Sequence, residues 1–285
     1  MTPRRYVLSL SCPDRVGIVA AVAGFFARHH GWIVEASHHA DPENVRYFLR
    51  QEVLADSLPF GREELVAKFQ PIADEFQMEW RLWDTAVKKR VALLVSKQDH
   101  CLYDLLGRWH GKELDLDVGV VISNHDVLRG LVEFHGLPFH HVNFETLGKP
   151  AAFAEVRRLI EAAGCDTVVL ARFMQIVPPD LCQAFPGRIL NIHHSFLPSF
   201  IGARPYHQAH ARGVKLIGAT CHYVTAELDE GPIIEQDALR VDHGEAVDDL
   251  VRIGKDIEKT VLARGLRWHS EDRVLLNGNK TIVFR

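Results

Sequence analysis

The distribution of apolar positions predicts four strands and two helices in the first part of the chain, in the order βαββαβ. Residues 6–11 alternate between apolar and polar side chains, as half-buried strands do. Ile18, Val22 and Phe25 then recur at the spacing of a helix with one buried face. This order of elements is typical of a ferredoxin-like domain, which we expect over residues 1–84.

A second pattern begins after residues 85–90, a polar and basic stretch that we interpret as a linker. Val91–Val95 is a continuous apolar run, which is typical of a strand buried on both faces. Similar runs alternate with helical segments further along the chain, which indicates βαβ units and a Rossmann-like, mostly parallel sheet with helices on both faces. A long helix at Glu245–Trp268 and a hairpin turn at Asn277–Gly278 follow. We therefore expect an α/β fold whose larger domain covers residues 91–285.

The composition is that of an ordinary globular protein, with 47% hydrophobic and 25% charged residues. The formal net charge is −4, whereas a protein that binds nucleic acid usually carries a basic excess, so we expect no nucleic-acid partner. The longest apolar run, residues 16–27, is too short to span a bilayer, and the first residues do not resemble a signal peptide, so we expect no membrane association. The five cysteines are far apart and form no CxxC pair, which is typical of a reducing compartment, and we expect the cytoplasm.

Candidate chemistry lies where a predicted strand ends in Asn191 and His193. Side chains in a strand repeat every two residues, so this carboxamide and imidazole face the same side. Asp229 lies in a later acidic loop and supplies a carboxylate. An amide and an imidazolium can stabilise an oxyanion while a carboxylate takes a proton, which suits acyl chemistry. The alternative interpretation is structural: an amide that satisfies loop backbone, a hydrogen-bonded core histidine and a plain turn.

Cofactor motifs are missing from this part of the chain. No GxGxxG follows Val95 and no GxxxxGK[ST] occurs, so the sequence has neither a dinucleotide fingerprint nor a P-loop. A metal hydrolase is a second alternative, built on five of the 17 histidines: His193, His194, His207, His210 and His222. No HExxH motif is present and the spacing of these histidines is loose, so we expect no metal site and no cofactor.

Three segments carry a family resemblance: NIHHSFLP at residues 191–198, GATCHYV at 218–224 and ELDEGP at 227–232. In this order and at this spacing they resemble the folate-dependent formyltransferase family, over residues 91–240. The resemblance implies catalytic roles for Asn191, His193 and Asp229. It also implies a substrate-binding set around the pterin ring of a folate: Met174, Gln175, Ile176, Val177, His222, Val224 and Glu227.

The segment CPDRVGI at residues 12–18, together with the βαββαβ order, resembles the ACT family of regulatory domains. That resemblance implies an amino-acid effector site at Asp14, Arg15 and Gly17, and pairing of these domains between subunits, so we expect a homo-oligomer. A glycine at the start of a helix would let a ligand approach backbone N–H groups. The alternative for Gly17 is simple close packing.

An ACT-like domain before a formyltransferase-like domain resembles the branch of the family that hydrolyses 10-formyltetrahydrofolate to tetrahydrofolate and formate, which balances one-carbon folate pools for purine synthesis. The segment after the first strand of the larger domain reads SKQDHC at residues 96–101. It lacks glycine and carries an acid, so it is poorly suited to bind the phosphate group of a ribonucleotide acceptor. Without such a second substrate, water is the expected acceptor of the formyl group. Folate is then the substrate and not a cofactor. Two alternatives remain: transfer of the formyl group to an amine acceptor, and a non-enzymatic amino-acid sensor.

Overall fold

The structure is a computed structural model that describes residues 3–199 and 205–285. The chain forms two compact units. The smaller unit contains the chain up to Lys88 together with residues 271–285, and the larger unit contains residues 89–270. The chain therefore passes between the units twice, at Lys88 and again at Ser270.

The smaller unit has the predicted βαββαβ order and a four-stranded antiparallel sheet with the order β2-β3-β1-β4, which is a ferredoxin-like arrangement. Its core lies between the sheet and two helices, because β1 and β3 direct alternate apolar side chains toward Phe25, Phe26 and Phe69. A short 3-10 turn at Ala55–Ser57 follows β3. The elements are β1 (Arg5–Pro13), α1 (Ile18–Arg28), β2 (Ile33–Asp41), β3 (Arg46–Leu54), α2 (Arg62–Glu75) and β4 (Glu79–Asp84).

The last residues of the chain correct the predicted domain boundary. The hairpin at Asn277–Gly278 forms as predicted, but residues 271–285 belong to the smaller unit and not to a domain over 91–285. The cause is Arg50 on β3, which is 1% exposed and donates to the backbone carbonyls of Glu271 and Asp272. Arg273 adds an ion pair with Glu35 at 2.9 Å, so buried charge holds this segment on the small sheet.

The larger unit is an α/β structure with a seven-stranded sheet of order β11-β10-β9-β8-β5-β6-β7. The strands from β5 to β9 run parallel, and β10 and β11 extend the sheet antiparallel. Its strands are β5 (Arg90–Val95), β6 (Asp117–Ser123), β7 (Phe139–His141), β8 (Thr167–Ala171), β9 (Ile189–His193), β10 (Leu216–Tyr223) and β11 (Ile233–Arg240). The helices are α3 (His100–His110), α4 (Arg129–Phe134), α5 (Phe144–Leu147), α6 (Lys149–Ala162), α7 (Pro179–Ala184), α8 (Pro205–Arg212) and α9 (Val247–Ser270); the C-terminal hairpin of the smaller unit is β12 (Val274–Asn277) and β13 (Lys280–Val283).

Helices cover both faces of this sheet, as predicted. Val168 on β8 belongs to an apolar cluster that includes α6 and α7 side chains. The neighbouring Thr167 points the other way and its hydroxyl lies 3.1 Å from the imidazole of His269 on α9. Alternate residues of one strand thus contact helices on opposite faces, which explains why these strands read as continuous apolar runs.

The sheet order reverses between β5 and β8, and this reversal positions the site. From β5 the chain adds β6 and β7 on one side, and it then returns to add β8 and β9 on the other. In open α/β sheets, ligands bind beyond the carboxyl ends of the strands at such a switch point. The loops after β5, β8 and β9 therefore meet at one crevice.

Pro205–Arg212 forms a helix that the sequence analysis does not predict. Arg204 lies outside the described residues. Among the residues that the structure describes, no helix is both long and apolar enough to cross a membrane.

Candidate active site

A cavity of about 690 Å³ opens at the carboxyl ends of β8 and β9. It is lined by all three predicted catalytic residues and by all seven predicted substrate-binding residues: Asn191, His193, Asp229, Met174, Gln175, Ile176, Val177, His222, Val224 and Glu227. The crevice expected from the strand order is thus the place where these side chains meet.

His193 and Asp229 lie side by side in the cavity wall. Nδ1 of His193 lies 3.3 Å from Oδ1 of Asp229, and the two side chains are 7% and 13% exposed. The pKa of Asp229 is lowered, chiefly by the hydrogen bond from His193, so the carboxylate is ionised at neutral pH. Nε2 of His193 is buried without a hydrogen-bond partner among the described residues. That nitrogen is therefore the one available to a water molecule or a ligand.

His222 orients the carboxamide of Asn191. Nδ1 of His222 lies 2.9 Å from the carbonyl oxygen of Tyr223 and donates to it, so Nε2 carries the lone pair. Nδ2 of Asn191 donates to this Nε2 at 3.1 Å. Burial lowers the pKa of His222 and keeps its imidazole neutral. One N–H of the amide is thus fixed by His222 and the second remains for a bound carbonyl oxygen.

Asp229 lies in the loop between β10 and β11, where the backbone turns tightly. Asp229 has φ 58°, in the left-handed region that aspartate and asparagine tolerate better than most residues. Two residues later, a Cβ at Gly231 would overlap the backbone carbonyl oxygen of Tyr223. Glycine at 231 therefore lets the loop close against the end of β10 and holds the carboxylate beside His193.

Apolar side chains form one rim of the cavity. Met174 and Ile176 are 56% and 62% exposed, and Leu228 across the opening is 59% exposed. The loop that carries Met174 is held by its backbone N–H, which donates to the hydroxyl of Ser96 after β5 at 3.1 Å. Exposed apolar groups around a cavity with few polar atoms suit a flat aromatic ring system.

A buried charged cluster at the same cavity was missed by sequence reasoning. Glu258 on α9 is 1% exposed; its carboxylate accepts from His100 at 2.7 Å and from the phenol of Tyr206 at 2.6 Å, and lies 3.4 Å from Arg172. Burial raises the pKa of Glu258, but the hydrogen bond from His100 and the charge of Arg172 outweigh it and the net shift is downward. A signal existed, because Glu258 lies seven residues after Val251 and three before Val261, on the inward stripe of the helix.

His194 separates this cluster from His193. Its ring centroid lies 5.1 Å from that of His193 and 6.3 Å from that of Tyr206. Burial, helped by the charge of Arg172, lowers the pKa of His194 to about 4. The unfolded chain binds this proton from about pH 6.5 downward, so folded stability falls as the pH drops from 6.5 to 4.

His100, Cys101 and Glu258 place three potential ligand atoms within 4.8 Å of one another. The fit to a metal ion is poor, because both oxygens of Glu258 already accept hydrogen bonds and Arg172 adds a positive charge beside them. Burial also raises the pKa of the Cys101 thiol well above its usual value, whereas metal binding requires the thiolate.

The predicted effector residues lie in the smaller unit and not in the cavity. Asp14, Arg15 and Gly17 are exposed at the start of α1. Gly17 has φ 101° and caps the helix, so its conformation requires glycine. Arg15 donates to the carbonyl of Glu75 and stacks on Phe76 at 4.1 Å, which fixes the entry to the helix.

The fold and this site agree with comparisons to known proteins. A family model for formyl transferases matches residues 89–266, and the chain belongs to that family. The chain is 49% identical to a formyltetrahydrofolate deformylase of Bacillus subtilis (strain 168), over 97% of this chain and 93% of that protein. Within the formyl transferase family, the chain belongs with the formyltetrahydrofolate deformylases.

Solved structures give the same result. The crystal structure of a formyltetrahydrofolate deformylase from Pseudomonas syringae pv. tomato str. DC3000 matches with a TM-score of 0.98 and 57% identity, over 100% of this chain and 96% of that chain. Glycinamide ribonucleotide transformylase 1 from Symbiobacterium toebii matches with a TM-score of 0.68 and 32% identity, over 72% of this chain and 98% of that chain. The likeness to the transformylase is thus partial, whereas the likeness to the deformylase extends over the whole chain.

Proposed function

We propose that the protein is a hydrolase that converts 10-formyltetrahydrofolate to tetrahydrofolate and formate. The observation that carries the proposal is the convergence of Asn191, His193 and Asp229 on one cavity whose rim is apolar. The cavity can hold a flat pterin ring against its rim while the formyl carbonyl faces the polar wall. The full-length similarity to formyltetrahydrofolate deformylases supports the same substrate and reaction.

In the proposed mechanism, the formyl oxygen lies between the free N–H of Asn191 and Nε2–H of the imidazolium of His193. Water attacks the formyl carbon and transfers a proton to Asp229, whose negative charge also stabilises the imidazolium. The amide and imidazolium hold the oxyanion of the tetrahedral intermediate. The bond from carbon to N10 then breaks as Asp229 passes its proton to N10, and the formic acid released loses its own proton to water. Formate and tetrahydrofolate are the products.

The substrate-binding roles rest on the two loops that border the cavity. We assign the pterin ring to the backbone of residues 174–177 and to the loop between Val224 and Asp229. Val224 and Glu227 belong to this second loop and line the cavity. The hydroxyl of Thr225 donates to the carbonyl oxygen of Glu227 at 3.1 Å, which fixes the conformation of the loop. His222 acts through Asn191, which makes it a positioning residue in this scheme.

We propose that the reaction requires neither a cofactor nor a metal ion. The proton transfers need only the side chains of His193 and Asp229. Among the described residues, the one group of possible metal ligands is His100, Cys101 and Glu258, and its carboxylate already pairs with His100 and Arg172. Transfer of the formyl group to an amine is the alternative reaction, and no described feature of the cavity favours it.

The test is incubation of the protein with 10-formyltetrahydrofolate alone, with formate and tetrahydrofolate measured separately. We expect both products in equal amounts, with the same rate after exhaustive treatment with EDTA. Asn191→Ala should lose about 10²–10³ in kcat, as removal of one oxyanion donor typically does. Turnover that depends on an added amine would replace hydrolysis by formyl transfer, and loss of activity with EDTA that zinc restores would establish a metal enzyme.

The smaller unit is proposed to be an ACT-like regulatory domain that pairs between subunits and binds an amino acid at Asp14, Arg15 and Gly17. Its edge strand β2 borders exposed apolar groups, among them Trp32 at 67% and Val34 at 42% exposure, which supports association with a second copy. Light scattering tests the oligomer, and calorimetry with single amino acids tests the effector. The five buried, free cysteines support a reducing, cytoplasmic location.

A further inference from the structure

The cluster around Glu258 has no part in the mechanism above, although it lines the same cavity. Its members come from three helices and one loop. His100 begins α3, Tyr206 lies on α8, Glu258 lies on α9, and Arg172 lies in the loop directly after β8. His194 lies between Tyr206 of this cluster and His193, with ring centroids 6.3 Å and 5.1 Å away.

We propose that His100, Arg172, Tyr206 and Glu258 form a wall that closes the side of the cavity beyond His194, and that this wall excludes nucleophiles much larger than water. The inference rests on the proposed hydrolysis and adds a specificity-determining role to residues outside the reacting centre. From here on, these four residues are called the acceptor wall.

The hydrogen bonds within the acceptor wall leave no free carboxylate on its members. Both carboxylate oxygens of Glu258 accept bonds from within the wall, and the phenol of Tyr206 uses its proton on one of them. No free carboxylate among these four residues remains to bind an ammonium group or to take a proton from an attacking amine. The guanidinium of Arg172 adds positive charge on the same side, which disfavours a cationic amine.

Burial and close packing make the acceptor wall rigid. Glu258 is 1% exposed, and the side chains of His100 and Arg172 are 8% and 11% exposed, so the charges are almost fully desolvated. Tyr206 is held on its other side by Gly254, where a Cβ would overlap the phenol ring. A ligand that displaced one member would leave a buried charge unpaired, so the wall resists opening.

The loop after β5 borders the same cavity through Gln98 and contains one hydroxyl side chain, Ser96. The hydroxyl of Ser96 donates to Asn124 at 2.5 Å and accepts from the backbone N–H of Met174 at 3.1 Å. This loop therefore offers no free hydroxyl to a larger second substrate. Water needs no binding site of its own, because its concentration saturates any open position beside the formyl carbon.

The experiment measures where the formyl group goes when an amine competes with water. The wild type, Tyr206→Ala and His100→Ala are each incubated with 10-formyltetrahydrofolate and excess glycinamide, and formate and N-formylglycinamide are quantified by mass spectrometry. In the transfer reaction, the amine nitrogen bonds to the formyl carbon, the bond to N10 breaks and N10 takes a proton, so tetrahydrofolate is again released.

We expect formate as the main product of the wild type, with a small, measurable amount of N-formylglycinamide at most. The ratio of N-formylglycinamide to formate should rise at least about tenfold in the two variants, which is the effect of a change in relative barrier of about 1.4 kcal/mol. Tyr103→Ala is the matched control, since Tyr103 lies on α3 beside His100 but is 54% exposed and does not line the cavity. Variants that still hydrolyse the substrate but keep the wild-type ratio would overturn the proposal.

A measurement on the wild type alone covers the case in which both variants fail to fold. Hydroxylamine is close to water in size, and the acceptor wall should admit it, whereas glycinamide should be excluded. Each amine's rate with the wild-type protein is divided by its rate without protein, and equal rate enhancements for glycinamide and hydroxylamine would contradict the proposal. Failure of the proposed function is a separate result, because it would appear as absence of formate in the reaction without amine.

Discussion

Replacement of Asp229 by asparagine removes one negative charge from the site and leaves its shape almost unchanged. Asparagine has the same size as aspartate and also tolerates the left-handed conformation at φ 58°. The substitution therefore keeps the loop in place, keeps a hydrogen-bond acceptor beside His193 and removes only the carboxylate that pairs with the imidazolium and takes the proton from water.

The magnitude follows from the geometry of the pair. Two unit charges 3.3 Å apart attract by about 5 kcal/mol at an effective dielectric constant of about 20. Each 1.36 kcal/mol of barrier changes a rate tenfold, so loss of this attraction corresponds to a fall of about 10³–10⁴ in kcat. The pterin contacts are untouched, so KM should change by no more than about threefold, a shift of well under 1 kcal/mol.

The assay follows formate release under single-turnover and steady-state conditions, with folate affinity measured separately by calorimetry. Glu230→Gln is the matched control, because Glu230 is the neighbouring acid but is exposed and does not line the cavity. If Asp229→Asn kept kcat within tenfold of the wild type, the carboxylate would be neither the proton acceptor nor the partner of an essential imidazolium.

Three further results are expected. The ring resonances of His194 should titrate in NMR with a pKa of about 4, and a midpoint near 6.5 would contradict burial of the neutral ring as the cause. Gly231→Ala should lower kcat by about 10², because the loop that carries the catalytic carboxylate must shift. Gly107→Ala is the control: a Cβ there meets open space on α3, so kcat should not change and the helix should be stabilised by about 0.5–1 kcal/mol. Equal kcat values for the two variants would refute the role of Gly231 in positioning the loop. Arg50→Ala should reduce the free energy of unfolding of the smaller unit by about 3–5 kcal/mol in urea titrations, because it leaves the buried Glu52 without this partner. Arg46→Ala, which removes a more exposed ion pair with Glu79, should reduce it by no more than about 1 kcal/mol. Similar losses in the two variants would contradict the role of burial.

Much of the fold could be predicted because its signals are local. The continuous apolar run of β5 and the helical spacing on α1 each mark an element without reference to the rest of the chain. The pairing of Asn191 and His193 on one side was also local, since it depends only on the two-residue period of a strand. Both side chains do line the cavity.

The rest of the site depends on contacts between distant residues, which a pattern does not display. Asp229 reaches His193 only because Gly231 allows a close backbone approach to Tyr223. The spacing along α9 places Glu258 on the buried stripe, but only the fold brings His100, Tyr206 and Arg172 to it. The hairpin after α9 was likewise a local prediction, whereas the sheet on which it lies was set by Arg50, more than two hundred positions earlier in the sequence.

Because residues 271–285 return to the smaller unit, the larger unit is inserted within the sequence of the smaller one. A protease that cleaves at one border leaves the two units covalently joined through the other border. The larger unit can be excised as one uninterrupted piece, residues 89–270. The smaller unit comes free only in two fragments, and a gene for it alone must splice residue 88 to residue 271.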